Sequence, residues 1–187
     1  METDKATMRR EYRQKRDDFV GGLTEQDRAI AFSQVPTPLS VFFRAGNIVA
    51  GYVAKDSEAS PSALLAAAHA RGCITALPHV ISRAVPMQFL RWSPGDPLVA
   101  GPFGLLQPVA DAEVVSPNVV LVPLVAFDNR LMRLGQGAGH YDRALSILAD
   151  ATAIGVAWSI QHAPAIEAEP WDVPMDGILT EKSWMTL

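Results

Sequence analysis

The chain has 187 residues, of which 49% are hydrophobic and 19% charged, and its formal net charge is −4. This length suits one ordinary domain with a real core, and the composition is globular rather than disordered. An acidic balance argues against a nucleic-acid partner, whereas a small anionic ligand needs only a local cluster of positive charge.

Met1-Glu2-Thr3-Asp4-Lys5 opens the chain and an Arg-rich stretch follows, with no apolar segment of the kind a secretory signal carries. The longest apolar run, Val119 to Phe127, contains Pro123 and is too short to span a bilayer. A cytoplasmic location without membrane association is therefore expected. The lone Cys73 cannot build a disulfide framework or a thiolate zinc site, and it reads as core filler.

The first predicted helix runs from about Thr7 to Val20. Met8, Tyr12 and Phe19 fall near one face, and Arg9, Arg13 and Arg16 recur at i, i+4 and i+7 on another. Gly21-Gly22 ends it, and a second short helix is predicted after Thr24, the expected N-cap, with Asp27 completing the cap. Pro36 and Pro38 limit its length. A strand over Asn47 to Val53 comes next. Ser60 and Pro61 then read as the cap and first residue of a helix running to Arg71, which Gly72 stops before a strand from Cys73 to Leu77. That strand–helix–strand unit predicts a parallel pair with a right-handed crossover.

Further strands are predicted at Met87 to Trp92, Val119 to Val122, Ile154 to Trp158 and Gly177 to Thr180. A turn is predicted at Pro94-Gly95-Asp96-Pro97 and a helix over Asp142 to Asp150. The alternation implies an α/β fold, three-layer α/β/α with a mostly parallel central sheet. No linker divides the chain, so residues 1–187 are expected to form a single domain. Oligomeric state is not legible, and a monomer is the expectation.

The strongest chemical signal is Arg133-Leu134-Gly135-Gln136-Gly137-Ala138-Gly139-His140-Tyr141-Asp142-Arg143. Alternating glycines before a helix start can form a phosphate cradle, because backbone N–H groups then approach an anion closely. The spacing G-x-G-x-G is neither the P-loop nor the dinucleotide fingerprint, and a simple tight turn would need the same glycines. Arg133 could pair with phosphate, and Asp142 could hold magnesium or merely cap the helix. The Arg9/Arg13/Arg16 stripe is either a solvated helix face, partly neutralised by Asp17 and Asp18, or a guanidinium clamp on a polyphosphate. Asp172 and Asp176 are either a capped turn or oxygen ligands for a metal. Glu58 lies just past a strand end, where ligands of open α/β sheets sit, although a surface role is open to any single Glu. Of the four histidines, His69 reads as helix surface, and His140 stands apart inside the Gly-rich segment.

These pieces occur in the order seen in the 5-formyltetrahydrofolate cyclo-ligase family, also called methenyltetrahydrofolate synthetase, which the chain resembles over nearly its whole length. The resemblance runs from Arg9–Arg16 through Glu58, the Gly72-to-Pro78 strand, Pro102-Phe103-Gly104, Gln107-Pro108, Val122-Pro123 and Phe127-Asp128. It continues through Arg133 to Arg143, Gln161 and Asp172-Val173-Pro174. It implies that ATP and 5-formyltetrahydrofolate give 5,10-methenyltetrahydrofolate, ADP and phosphate, with Mg2+ as cofactor and ATP as co-substrate.

Carried over by position, Arg9, Arg13 and the stretch Arg133, Leu134, Gly135, Gln136, Gly137, Ala138, Gly139, His140 and Tyr141 would bind ATP. Gln136 to His140 would also touch the folate, with Val53 and Glu58 at the pterin. Asp142 and Asp172 would bind magnesium, and Arg133 and Asp142 would be the catalytic pair. Arg9, Gln136, Ala138 and His140 depart from the family's usual residues. The rival readings are a folate- or nucleotide-binding relative without turnover, and a sugar-phosphate enzyme on a similar scaffold.

Overall fold

The computed structural model describes residues 4–187. Three helices lead: α1 (Lys5–Gly21), α2 (Glu25–Ile30) and α3 (Thr37–Ser40). The cap expected at Thr24 is present. Thr24 Oγ1 accepts from the Asp27 N–H at 3.1 Å, and Asp27 Oδ2 accepts from the Thr24 N–H at 3.1 Å. Pro38 lies in the first turn of α3, where its missing N–H costs nothing.

The predicted strand–helix–strand unit is β1 (Ile48–Ala50), α4 (Ser62–Ala70) and β2 (Ile74–His79), with β1 and β2 parallel. The start of α4 differs from expectation. Pro61 occupies the N-cap and makes no side-chain cap bond, while Ser60 Oγ donates instead to Ser62 Oγ at 3.0 Å. Gly72, just past the C-cap of α4, stops the helix in a left-handed conformation, φ +82°. Then come β3 (Gln88–Arg91), β4 (Leu98–Ala100), β5 (Leu106–Pro108), β6 (Val114–Val115) and β7 (Val119–Pro123). The chain continues with β8 (Ala126–Phe127), β9 (Arg133–Leu134), α5 (His140–Ile147), β10 (Thr152–Val156), β11 (Gly177–Leu179) and β12 (Trp184–Met185).

The main sheet has the order β12-β11-β10-β7-β1-β2-β3-β6. Its centre, from β11 to β2, is parallel, and β12, β3 and β6 add antiparallel edges. The period of two decides which face each side chain fills. Val119 and Leu121 pack with Val20 of α1, Leu39 of α3 and Leu64 of α4. Val120 and Val122 pack with Ala144 and Leu145 of α5 on the other face. The three layers expected from the alternation are therefore present, and no described helix is long and apolar enough to cross a membrane.

Several predicted boundaries shift by a few residues, among them the end of β1 at Ala50 rather than Val53, and two of the shifts bear on the site and the core. Helix α5 begins at His140, so Asp142 lies inside the first turn rather than at the cap. β10 covers Thr152–Val156 and stops before Trp158, which leaves the strand to pack its ring against Phe19 and Phe32, with centroids 5.7 and 5.1 Å away.

A buried carboxylate organises the β8–β9 hairpin and its neighbour. Asp128 is 1% exposed and accepts from the N–H groups of Arg130, Met132 and Ile166 at 2.9–3.0 Å. Burial alone would push this carboxyl up, but the Ile166 N–H, the Arg130 side chain and the other backbone donors outweigh it and hold the group below the usual carboxylate range. Its folded pKa is depressed, so its contribution to stability is present above about pH 4, the unfolded value, and is lost as pH falls below that. Asp128→Asn keeps an acceptor but loses the charge, and is expected to lower stability by about 1–2 kcal/mol. Thermal melts at neutral and acidic pH would show a gap between mutant and wild type that narrows on acidification. A constant gap would refute the assignment.

Candidate functional site

A cleft of about 1530 Å³ opens at the carboxyl ends of the parallel strands, where Tyr52 and Val53 after β1, Val80 after β2 and Pro123 at the end of β7 line it. One wall is α1. Lys5, Arg9, Arg13 and Arg16 all line the cleft, spread over about 16 Å of helix axis. The Arg stripe is thus not a solvated face. Each cation meets a different part of the opposite wall. Lys5 Nζ donates to Asp172 Oδ2 at 2.9 Å, and Arg9 Nε to the Gly135 carbonyl at 2.8 Å. Arg13 Nη2 donates to Gln136 Oε1 at 2.6 Å, and Arg16 Nε to Ser57 Oγ at 2.9 Å. Arg16 is 6% exposed. Ser57 Oγ in turn donates to Asp17.

The Gly-rich segment runs between β9 and α5. Gly137 (φ +104°) and Gly139 (φ +65°) lie in the left-handed region, and Gly139 is the N-cap of α5. A Cβ on Gly137 would meet the Arg9 guanidinium only at an ordinary contact distance of 3.4 Å, so it is the left-handed backbone rather than crowding that calls for glycine there. Leu134 is buried and Ala138 half-buried. The Ala138 carbonyl accepts from Arg143 Nη1 at 3.2 Å. Gln136 bridges the walls: while it accepts from Arg13, its Nε2 donates to Glu58 Oε1 at 3.0 Å. Glu58 Oε2 accepts from the Lys55 N–H at 3.0 Å, which closes the loop after β1, and half-buried Val53 lines the cleft beside it.

At the base, Arg133 (side chain 4% exposed) donates Nη2 to Asp142 Oδ1 at 2.6 Å. Burial would push the Asp172 carboxyl up, but the Glu169 N–H, Lys5 and the Arg133 charge hold it below the usual range. Burial, then Arg143 and Arg83, push the His140 imidazole down, so it is neutral at neutral pH. Burial and the Glu58 charge push the Tyr141 phenol well above its ordinary value despite Arg133, so its hydroxyl stays protonated.

Among the described residues, four buried side-chain polar atoms lack a hydrogen-bond partner: Arg16 Nη1, Arg133 Nε, His140 Nε2 and the Tyr141 hydroxyl. All four residues line this one cleft. An unmet buried donor costs about 1–3 kcal/mol, so their concentration in one place marks a surface built to meet a ligand rich in acceptors. Two are cationic, which favours an anion.

No group of three or more His, Cys, Asp or Glu among the described residues could hold a metal. Asp142 and Asp172 do fit magnesium, which takes one or two carboxylates and completes its shell with water and phosphate oxygens. Arg133 links them, bonded to Asp142 and acting on the charge of Asp172. Asp176 does not join them. Its Oδ2 accepts from the Ala153 N–H at 2.7 Å and ties β10 to the chain entering β11.

The cleft brings together Arg9, Arg13, Val53, Glu58, residues 133–142 and Asp172. Several lining residues had no sequence signal of their own. Lys5 meets a partner 167 positions away. Arg143 stands out in the sequence only as the end of the Gly-rich segment. Phe103 is 51% exposed with φ +62°, and Trp171 is 67% exposed, but a single exposed aromatic leaves no periodic trace. Gln161 and Asp128, both within the family resemblance, serve structure. Gln161 Nε2 donates to the Leu124 and Val125 carbonyls at 2.8 and 3.0 Å. Cys73 is buried and His69 exposed, as read from the sequence.

A family model described as the 5-formyltetrahydrofolate cyclo-ligase family matches residues 1–181. A 5-formyltetrahydrofolate cyclo-ligase of Mycolicibacterium smegmatis is 38% identical over 146 residues, covering 73% of this chain and 75% of the relative. That of Haemophilus influenzae is 33% identical over 139 residues, covering 70% and 74%. The solution structure of Aquifex aeolicus 5,10-methenyltetrahydrofolate synthetase superposes with a TM-score of 0.79 at 26% identity, covering 97% of this chain and 92% of the other. The Mycoplasma pneumoniae synthetase shares the fold at 24% identity, with a TM-score of 0.70 and coverage of 96% and 99%.

Proposed function

The chain belongs to the 5-formyltetrahydrofolate cyclo-ligase family, and we propose that the cleft beside α1 is where it performs that family's reaction. The enzyme cyclises 5-formyltetrahydrofolate to 5,10-methenyltetrahydrofolate at the expense of ATP, releasing ADP and phosphate. The observation that supports this site is the set of four unmet buried polar atoms facing one basic cleft.

In the proposed mechanism the formyl oxygen attacks the γ-phosphorus, and the bond to the β-phosphate oxygen breaks, with ADP taking the electron pair. The formyl oxygen is now part of a leaving group. The folate's 10-nitrogen attacks the formyl carbon and loses its proton, and phosphate departs with the formyl oxygen as the ring closes. The chain supplies no nucleophile. Its work is positioning and charge neutralisation.

Arg9, Arg13 and Arg133 hold the phosphates, the Gly135–Gly139 backbone wraps them, and neutral His140 and protonated Tyr141 each offer a donor. Glu58 accepts from the N–H-rich edge of the pterin, and Val53 packs against the ring. Asp142 and Asp172 would hold magnesium, which when bound neutralises charge on the phosphates. Arg13 and Glu58 are joined through Gln136, so the two ligands share one flexible amide between their sites.

The test is to mix protein, ATP, magnesium and 5-formyltetrahydrofolate and follow the near-ultraviolet absorbance of the methenyl product. Product should form only when ATP and a divalent ion are both present. Equal product without ATP would sink the proposal.

A further inference from the structure

The polarity of the cleft places the nucleobase. Four cations of α1 meet the opposite wall in order: Lys5 at the 169–172 segment, Arg9 at Gly135, Arg13 at Gln136 beside Glu58, and Arg16 at Ser57. If Glu58 holds the pterin, as proposed above, the formyl group lies toward the Arg13 end. The reaction requires the γ-phosphate to be the phosphate nearest that formyl oxygen. The β- and α-phosphates, the ribose and the base must then extend away from Glu58. The direction left open is along α1 toward Lys5, about 12 Å of helix axis from Arg13.

At that end the cleft wall is Glu169, Pro170, Trp171 and Asp172. Trp171 is 67% exposed and is the only exposed one of the four tryptophans. Among the described residues its ring stacks on no other aromatic ring and carries no cation. The cleft's other exposed aromatic ring, Phe103, belongs to the opposite end. It lies 6.3 Å from the His140 ring, and a Cβ on its neighbour Gly104 would be 3.5 Å from Lys55 Nζ, in the loop that carries Glu58. A large indole left in solvent at the rim of a nucleotide cleft has an apolar face to cover, and a purine supplies a flat partner.

We infer that Trp171 is the platform on which the adenine ring of ATP stacks. This rests on the cyclo-ligase reading of the cleft and adds to it the position of the base and the run of the triphosphate along α1.

The heteroaromatic ring could also be the folate's, so the test separates the two. Binding of ATP, inorganic tripolyphosphate and 5-formyltetrahydrofolate is measured by calorimetry with magnesium, for wild type, Trp171→Ala and Trp171→Phe. Tripolyphosphate keeps the charge and lacks the base. Trp171→Ala should weaken ATP binding about tenfold, leave tripolyphosphate and the folate unchanged, and be largely rescued by Trp171→Phe. Intrinsic fluorescence of the wild type should be quenched by ATP and not by tripolyphosphate. Equal loss for ATP and tripolyphosphate would mean that Trp171 acts through the position of Asp172, and would overturn the inference. So would a loss confined to the folate, or no loss. A wild type that binds no ATP at all would overturn the function together with the platform, whereas ATP binding indifferent to Trp171 overturns the platform alone.

Discussion

Asp142→Asn is expected to cut turnover about a hundredfold at low magnesium, the upper end of what losing a metal-site partner costs, with partial recovery at high magnesium. The sequence left two roles open, a helix cap or an ion ligand. The cap reading finds no support, because the N-cap is Gly139 and no side chain makes a capping hydrogen bond at the start of α5. Its carboxylate instead faces Arg133, at 2.6 Å. Asn retains one acceptor oxygen for that bond and gives up the charge. The mutant should therefore also be less stable, by about 1–2 kcal/mol, or roughly 2–8 °C in Tm for a chain of this size. The two effects separate by magnesium titration, since added ion can restore turnover and cannot replace the ion pair in the unliganded protein. Normal turnover at low magnesium, with only the melting temperature lowered, would reduce Asp142 to the partner that orients Arg133.

Glu58→Gln should raise the KM for 5-formyltetrahydrofolate by about 10–150-fold, the equivalent of losing a charge-assisted hydrogen bond worth about 1.5–3 kcal/mol. The KM for ATP should barely move. The substitution is mild for the fold, because the amide oxygen of Gln can still accept from the Lys55 N–H that Glu58 holds at 3.0 Å. It does alter the bridge to Gln136, whose Nε2 now donates to Glu58 at 3.0 Å. If Glu58 mattered only as the far end of that bridge, both substrates would suffer, because the same Gln136 accepts from Arg13. Steady-state kinetics with each substrate varied in turn decides between them. Equal rises in both KM values, or none, would remove Glu58 from the pterin pocket.

The parts of this fold that were readable in advance are those governed by local rules. The Thr24 cap, the Gly72 stop and the buried run from Val119 each follow from a few adjacent residues, and each is present. The short strands β4, β6 and β12 leave no legible trace in the sequence, because two- and three-residue strands have too few positions to display a period. Trp158 reads as the end of a strand by hydrophobicity alone. It packs between Phe19 and Phe32, two rings distant in sequence that no window around it contains.

The site divides in the same way. Residues 133–142 announce themselves as a contiguous Gly-rich segment. Arg16 belonged to a visible stripe, but nothing local distinguishes a 6%-exposed arginine from its solvated neighbours. Asp172 and Asp176 look alike in sequence and part only in space, one beside Lys5 and the other on the Ala153 N–H.

The wiring of α1 also sets a timetable. The helix is made first, yet its partners across the cleft lie 126 positions later for Arg9 and 167 for Lys5. At about 5–20 residues per second on a ribosome, Asp172 follows Lys5 by roughly 8–33 s. Throughout that interval the emerging chain carries its basic helix without the wall that gives it meaning. Competence to grip a nucleotide is therefore among the last properties the nascent polypeptide acquires.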